Sequence, residues 1–161
     1  MDRELIEHYA RGGETLALSI RGLTPEDLLC KPEKDAGVGL WSIQQVLMHL
    51  VDCEQVFAER MKRLIAEDDP PLVAFDENKW AAALHYEDQR AADGLALIDL
   101  TRRQMATILR KLPDSAFERA GTHSKRGKVT LLNEMSLAVS HLDHHLKFIH
   151  AKRAKMGKEM W

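Results

Sequence analysis

Apolar residues recur at helical spacing along almost the whole chain, and no stretch shows the two-residue alternation of a strand. That pattern restricts the fold to helices packed on helices. The first amphipathic segment covers residues 3–20, with Gly12-Gly13 as a weak spot where it is expected to bend. Thr24 and Pro25 then read as the cap and first position of a short helical turn. Pro32, Gly37 and Gly39 mark residues 31–40 as a loop. The second long helix has the clearest start: Ser42 and Gln45 form a capping box, with Trp41 and Val46 placed as a hydrophobic staple. Its stripe runs from Ile43 to Ile65, and it stops before Pro70-Pro71.

A long connection over residues 67–89 holds a short helix at 78–84. The third helix covers residues 90–112 and is ended by Pro113. Residues 114–128 are polar and partly basic and read as a surface loop. Thr130 caps the fourth helix, whose stripe includes Leu131, Met135, Val139, Leu142, Leu146 and Ile149. The tail AKRAKMGKEMW loses the pattern and is expected to fray. Four amphipathic helices make an all-α four-helix bundle, and the second connection is long enough that an up-down-up-down order is not required.

Composition narrows the partners. The 161 residues suit one domain with a true core, and a net charge of −2 supplies no field for nucleic acid. The short basic cluster Lys125-Arg126-Lys128 lacks interleaved aromatics and reads as a solvated loop. Cys30 and Cys53 make no disulfide framework, the charged start lacks the apolar run of a signal peptide, and no segment is apolar enough for a membrane span. A soluble cytoplasmic protein is expected.

The histidines carry the chemistry. His141 and His145 in HLDHHLKFIH stand at i, i+4, on one helix face one turn apart, the spacing that gives a divalent metal two ligands from one helix. On a helical wheel His145 lies roughly 80° from the centre of the apolar stripe and His141 about 40° further round, while His144 points to the opposite face. His49 falls roughly 110° from the centre of its own stripe. Three imidazoles at stripe edges can converge in the groove between two helices and leave a metal one open position. Half-exposed surface histidines would show the same pattern.

Other polar residues have two readings each. Cys53, one turn after His49, is a metal-adjacent thiol or a small buried apolar residue. Asp52 and Asp143 fall on outer faces. Glu134 stands two turns before His141, about 10.5 Å along the axis, where it can line a pocket mouth but not share the ligand shell. His8, His85, His123 and His150 have no partner pattern. Glu54 and Arg102 fall mid-stripe on the second and third helices, where a lone charge is costly, so they are expected to pair inside the bundle or line its cavity.

The stretches GLTPEDLL, KP, WSIQQVLMHLVDCE, FDENKW, LPDSAFERAGTH and GKVTLLNEMSLAVSHLDHHLKFI, in that order, resemble the DinB-like superfamily of four-helix-bundle proteins over roughly residues 5–150. The resemblance implies a long crossover between helices 2 and 3, often a homodimer, and a zinc or nickel ion held by three histidines, here His49, His141 and His145. It also implies a metal-dependent transferase that joins a small thiol, of the bacillithiol or mycothiol kind, to a small-molecule electrophile. Many relatives follow the last histidine with Arg-Gly-Gln; this chain has Leu146-Lys147-Phe148. Two alternatives stand beside the transferase. One is a metal-dependent hydrolase, against which counts the lack of a glutamate next to a metal-binding histidine as in H-E-x-x-H. The other is a non-catalytic ligand-binding or stress-response module.

Overall fold

Local side-chain chemistry sets where the helices begin. Ser42 opens α3 (Ile43–Ala66) with the expected capping box to Gln45, and Thr130 opens α6 (Leu131–Lys155) with a second one to Asn133. A third, between Thr24 and Asp27, opens the short α2 (Pro25–Leu29) with Pro25 in the first turn. The remaining long helices are α1 (Glu4–Ser19) and α5 (Ala91–Leu109), and the connection between α3 and α5 carries α4 (Glu77–Ala83). The structure, a computed structural model, describes residues 3–34 and 37–160.

The chain directions follow from which residues meet. The Gln44 amide at the start of α3 donates to the Tyr86 and Gln89 carbonyls just ahead of α5, and Gly94 lies against Met48 and Val51. Lys62 and Gln104 meet near the far ends of the same two helices. So α3 and α5 run parallel, and residues 67–90 must climb back along α3, about 36 Å of helix. This is the crossover between the second and third long helices. On the other side, α1 runs antiparallel to α5, with Glu7 paired to Arg110 and Gly13 against Asp99. It runs parallel to α6, with Gly12 on Leu142 and Ser19 beside Arg153. The order is up-down-down-up.

Gly12 and Gly13 do not bend α1, which is continuous through both. They are points of close approach: a Cβ on Gly12 would sit 1.9 Å from Arg102 Nη1, and one on Gly13 would sit 2.8 Å from the Asp99 Cα. The low helix propensity of glycine is the cost of bringing α5 that near.

Two regions differ from the sequence reading. Residues 114–128 are not a plain surface loop. A 3-10 turn (Asp114–Glu118) buries Phe117, and β2 (Ala120–His123) and β3 (Gly127–Thr130) form a hairpin, which β1 (Pro71–Leu72) joins in parallel. Strands this short have too few residues for alternation to register. The tail is also anchored through residue 158. Arg153 donates to the carbonyls of Ser19, Arg21 and Lys158, Lys152 to that of Gly39, and Lys158 pairs with Asp27. Polar anchoring of this kind leaves no hydrophobic period to read. The last residue of that tail, Trp161, lies outside the described residues.

The apolar core has two parts. One gathers Ile6, Tyr9, Phe57, Met61, Met105 and Met135, the other Leu16, Ile43, Leu47, Tyr86, Ile98 and Ile149. Among the described residues no helix is long and apolar enough to cross a membrane.

Candidate metal centre

The antiparallel pairing of α3 and α6 sets two i, i+4 pairs face to face: His49 and Cys53 on α3, His141 and His145 on α6. The ring centroids lie 5.1 Å apart for His49–His141, 4.9 Å for His49–His145 and 4.6 Å for His141–His145. His49 Nε2 and His141 Nε2 are 3.2 Å apart, and Cys53 Sγ lies 3.6 Å from His49 Nε2 and 3.7 Å from its Nδ1. His49 and Cys53 are buried, and His145 Nδ1 is a buried atom with no hydrogen-bond partner. Trp41 packs in a T-shaped arrangement with His49, ring centroids 5.2 Å apart, and Phe57 does the same with His141, centroids 5.7 Å apart. His144 is exposed, as its wheel position requires, and packs on Phe148.

Burial holds the three imidazoles neutral. Desolvation, with the nearby His145, lowers the pKa of His49 from 6.5 to about 4. Desolvation first, then the neighbouring histidines and Arg102, takes His141 to about 3. Desolvation and His144 take His145 to about 4. Neutral rings keep lone pairs that a metal can use. Bonds of about 2.0–2.1 Å at tetrahedral angles hold two nitrogens roughly 3.3 Å apart, close to the His49–His141 span. The donor types, the His49–His141 span and the orphaned His145 nitrogen fit a divalent transition metal.

A pH dependence follows. Below 6.5 the unfolded chain binds protons that these folded rings refuse, so stability is complete above 6.5 and is lost as pH falls towards 4–3. Metal-free protein is expected to be at least about 2 kcal/mol less stable at pH 4.5 than at pH 7.5 on account of this cluster. Urea midpoints across that range test it: His141→Ala should show a shallower slope than wild type, and an unchanged slope would assign the acid loss elsewhere.

Glu77 was not found from sequence. Its Oε2 lies 3.4 Å from His49 Nε2, and its side chain is 58% exposed. It stands in the first turn of α4, which Asp76 caps by accepting from the Lys79 N–H. The available signal was positional: FDENKW lies in the connection that climbs back along α3, and so passes over His49.

Glu54 and Arg102 pair inside the bundle as expected. The guanidinium donates to Glu54 Oε2 at 2.7 Å and to the carbonyls of Tyr9 and Ala138 at 3.2 and 2.9 Å, and sits 4.7 Å over the Tyr9 ring. The Tyr9 hydroxyl donates to Glu54 Oε1. A cavity of ≈ 10 Å³, room for about one water, separates this network from His141 and is also lined by Cys53 and Phe57.

Three polar residues depart from expectation. Glu134 does not line a pocket mouth. It is fully buried, pairs with Arg126 from the hairpin turn, and has Arg60 Nη1 3.8 Å from its Oε2. The hairpin that the sequence did not reveal covers it. Arg126 therefore turns inward rather than solvating a loop, and the backbone N–H groups of Lys125 and Arg126 donate to the buried His123 Nδ1. Asp52 is half-buried and accepts from the Tyr86 hydroxyl at 2.5 Å; burial raises its pKa, against that hydrogen bond. Asp143 stays partly exposed, 3.3 Å from His8 Nε2.

With the fold and the histidine cluster in place, comparison with known proteins decides the family. A model described as the DinB superfamily matches residues 8–149. The chain belongs to the DinB superfamily. Its relatives include a protein of Bacillus licheniformis, 32% identical over 136 residues, covering 82% of this chain and 74% of that one. YfiT of Bacillus subtilis is 31% identical over 130 residues, covering 78% and 70%. Both carry the provisional name metal-dependent hydrolase. The solved structure of YfiT, described as having an unusual four-helix bundle topology, superposes with a TM-score of 0.86 at 26% identity, over 96% of this chain and 86% of that one. The names of these DinB relatives and the grouping of His49, Cys53 and His141 within 4.8 Å of one another together support metal binding by this chain.

Proposed function

We propose that this DinB-type protein is a metal-dependent hydrolase, in which His49, His141 and His145 hold a divalent transition metal and Glu77 handles the proton. The observation that carries the reading is the Glu77 carboxylate, 3.4 Å from His49 Nε2 on the solvent side of the cluster. A divalent metal held there would supply a Lewis acid that polarises an acyl or phosphoryl oxygen and acidifies water. The chain does the rest. Glu77 Oε2 accepts the proton of the attacking water and delivers it to the leaving group. Trp41 and Phe57 fix the orientations of His49 and His141 by edge contacts and keep bulk water off their inner faces.

Transfer of a small thiol to an electrophile, the reading that the family resemblance first implied, uses the same three histidines and differs in the nucleophile. The objection to hydrolysis was the missing carboxylate, and Glu77 answers it. Metal-loaded protein assayed on activated esters, amides and phosphoesters, and separately on a small thiol with an electrophile, separates the two. Hydrolysis is expected, with kcat about 100-fold lower in Glu77→Gln and metal content unchanged. Turnover that requires the thiol assigns the transferase instead. Metal binding without either turnover leaves a ligand-binding module.

A further inference from the structure

The face of α3 that carries His49 continues beyond the histidine cluster. Val56 stands two turns after His49, about 10.5 Å along the axis and within about 20° of the same direction. On α4, Trp80 stands one turn after Glu77 on the same face. Here α3 and the crossover enclose a groove of ≈ 470 Å³, lined by Val56, Pro71, Val73, Phe75 and Trp80. The half-buried rings of Phe75 and Trp80 pack with centroids 4.6 Å apart. The crossover side is fixed in place. Arg60 donates to the Val73 carbonyl at 2.7 Å, and the Ala74 N–H donates to Ser124 Oγ at 2.9 Å. Arg63, which also lines the groove, is already shared by Glu59 and Glu67, and Glu77 one turn from Trp80 is a carboxylate. That charge pattern disfavours an anionic ligand group and suits an uncharged one.

We propose that this groove receives an uncharged apolar or aromatic arm of the substrate, while the bond to be cut sits at the histidines and Glu77. The protein then selects bulky neutral esters or amides over small or carboxylate-tailed ones. The inference rests on the hydrolytic reading. The volume falls within the range of about 300–1,000 Å³ that small-molecule sites occupy, and it accommodates a phenylalkyl group. Each methylene that leaves water for such a surface is worth about fourfold in kcat/KM. A second copy of the chain is a poorer occupant. Among the described residues, Val73 is the one exposed large apolar side chain that lines the groove. A stable interface takes about 800 Å² from each partner, well above what one groove of this volume presents.

Two substrate series on metal-loaded protein test this: p-nitrophenyl esters lengthened from acetyl to 5-phenylpentanoyl, and acetate esters lengthened from methyl to 4-phenylbutyl. Along one of them kcat/KM should rise at least about tenfold, and it should fall by about as much when a carboxylate replaces the terminal phenyl. Trp80→Ala and Val73→Asp should each cut the ratio of long-substrate to short-substrate kcat/KM at least about fivefold. A change that merely displaced Glu77 would lower both values alike and leave the ratio intact. Binding is read separately with 6-phenylhexan-2-one, a ketone that cannot be hydrolysed. It should give a saturable change in tryptophan fluorescence that is lost in Trp80→Phe. Hydrolysis with flat series, or with an unchanged ratio in both variants, overturns the groove and leaves the hydrolytic reading standing. Saturable ketone binding without any hydrolysis overturns that reading and sustains the groove as an apolar ligand site. Neither binding nor hydrolysis overturns both. A dimer that Val73→Asp dissociates, with no ketone binding to wild type, gives the groove to a second copy and overturns the proposal.

Discussion

Arg102→Ala is expected to destabilise the protein by about 3–5 kcal/mol, because it strands the Glu54 carboxylate in the bundle core. Both side chains are 3% exposed, and the guanidinium is bonded at once to Glu54 and to the carbonyls of Tyr9 and Ala138. After the substitution only the Tyr9 hydroxyl would remain on Glu54, and two buried carbonyls would lose a donor. For a chain of this length the loss corresponds to a drop in Tm of about 6–20 °C. The apolar double variant Glu54→Leu/Arg102→Met should recover most of it, since exchanging a buried ion pair for apolar residues of similar size is often neutral. Thermal and urea melts of both variants check this. A loss below about 1 kcal/mol for Arg102→Ala would mean that water reaches Glu54 in the folded protein.

The second large effect concerns the metal. Alanine at His49, His141 or His145 is expected to take bound zinc or nickel from near one per chain to near zero, and hydrolysis to background. Folding should survive. Each ring is held neutral by burial, so its removal relieves an acid-sensitive group while opening a modest cavity. His144→Ala is the control: its side chain is exposed, and metal content should not change. Loss of metal in His144→Ala to the same degree as in His145→Ala would contradict the assignment of ligands.

The parts of this fold that were legible in the sequence are those where one local interaction decides the outcome. Ser42 with Gln45 and Thr24 with Pro25 announce helix starts because each satisfies orphan backbone groups within a single turn. The edge positions of His49, His141 and His145 were readable because an amphipathic stripe fixes which way each side chain points. Glu54 and Arg102 were readable as a pair because neither charge tolerates the core alone. What stayed hidden depends on contacts far apart in the chain. Gly12 and Gly13 are the size of residue they are because of Arg102 and Asp99. Glu134 is buried because of a hairpin too short to show a pattern. Glu77 meets His49 because the crossover runs back along α3, and nothing local to FDENKW says so. Arg153 anchors the tail through the carbonyls of Ser19 and Arg21 at the opposite end of the sequence.

The central claim is that the groove between α3 and α6 holds a metal through its histidines. Elemental analysis of wild-type protein purified without a histidine tag, before and after zinc and nickel are offered and the excess removed, tests it most directly. Close to one metal per chain is predicted, retained on gel filtration and absent from His141→Ala. Less than a tenth of a metal per chain after both metals have been offered, or equal content in wild type and His141→Ala, would contradict it.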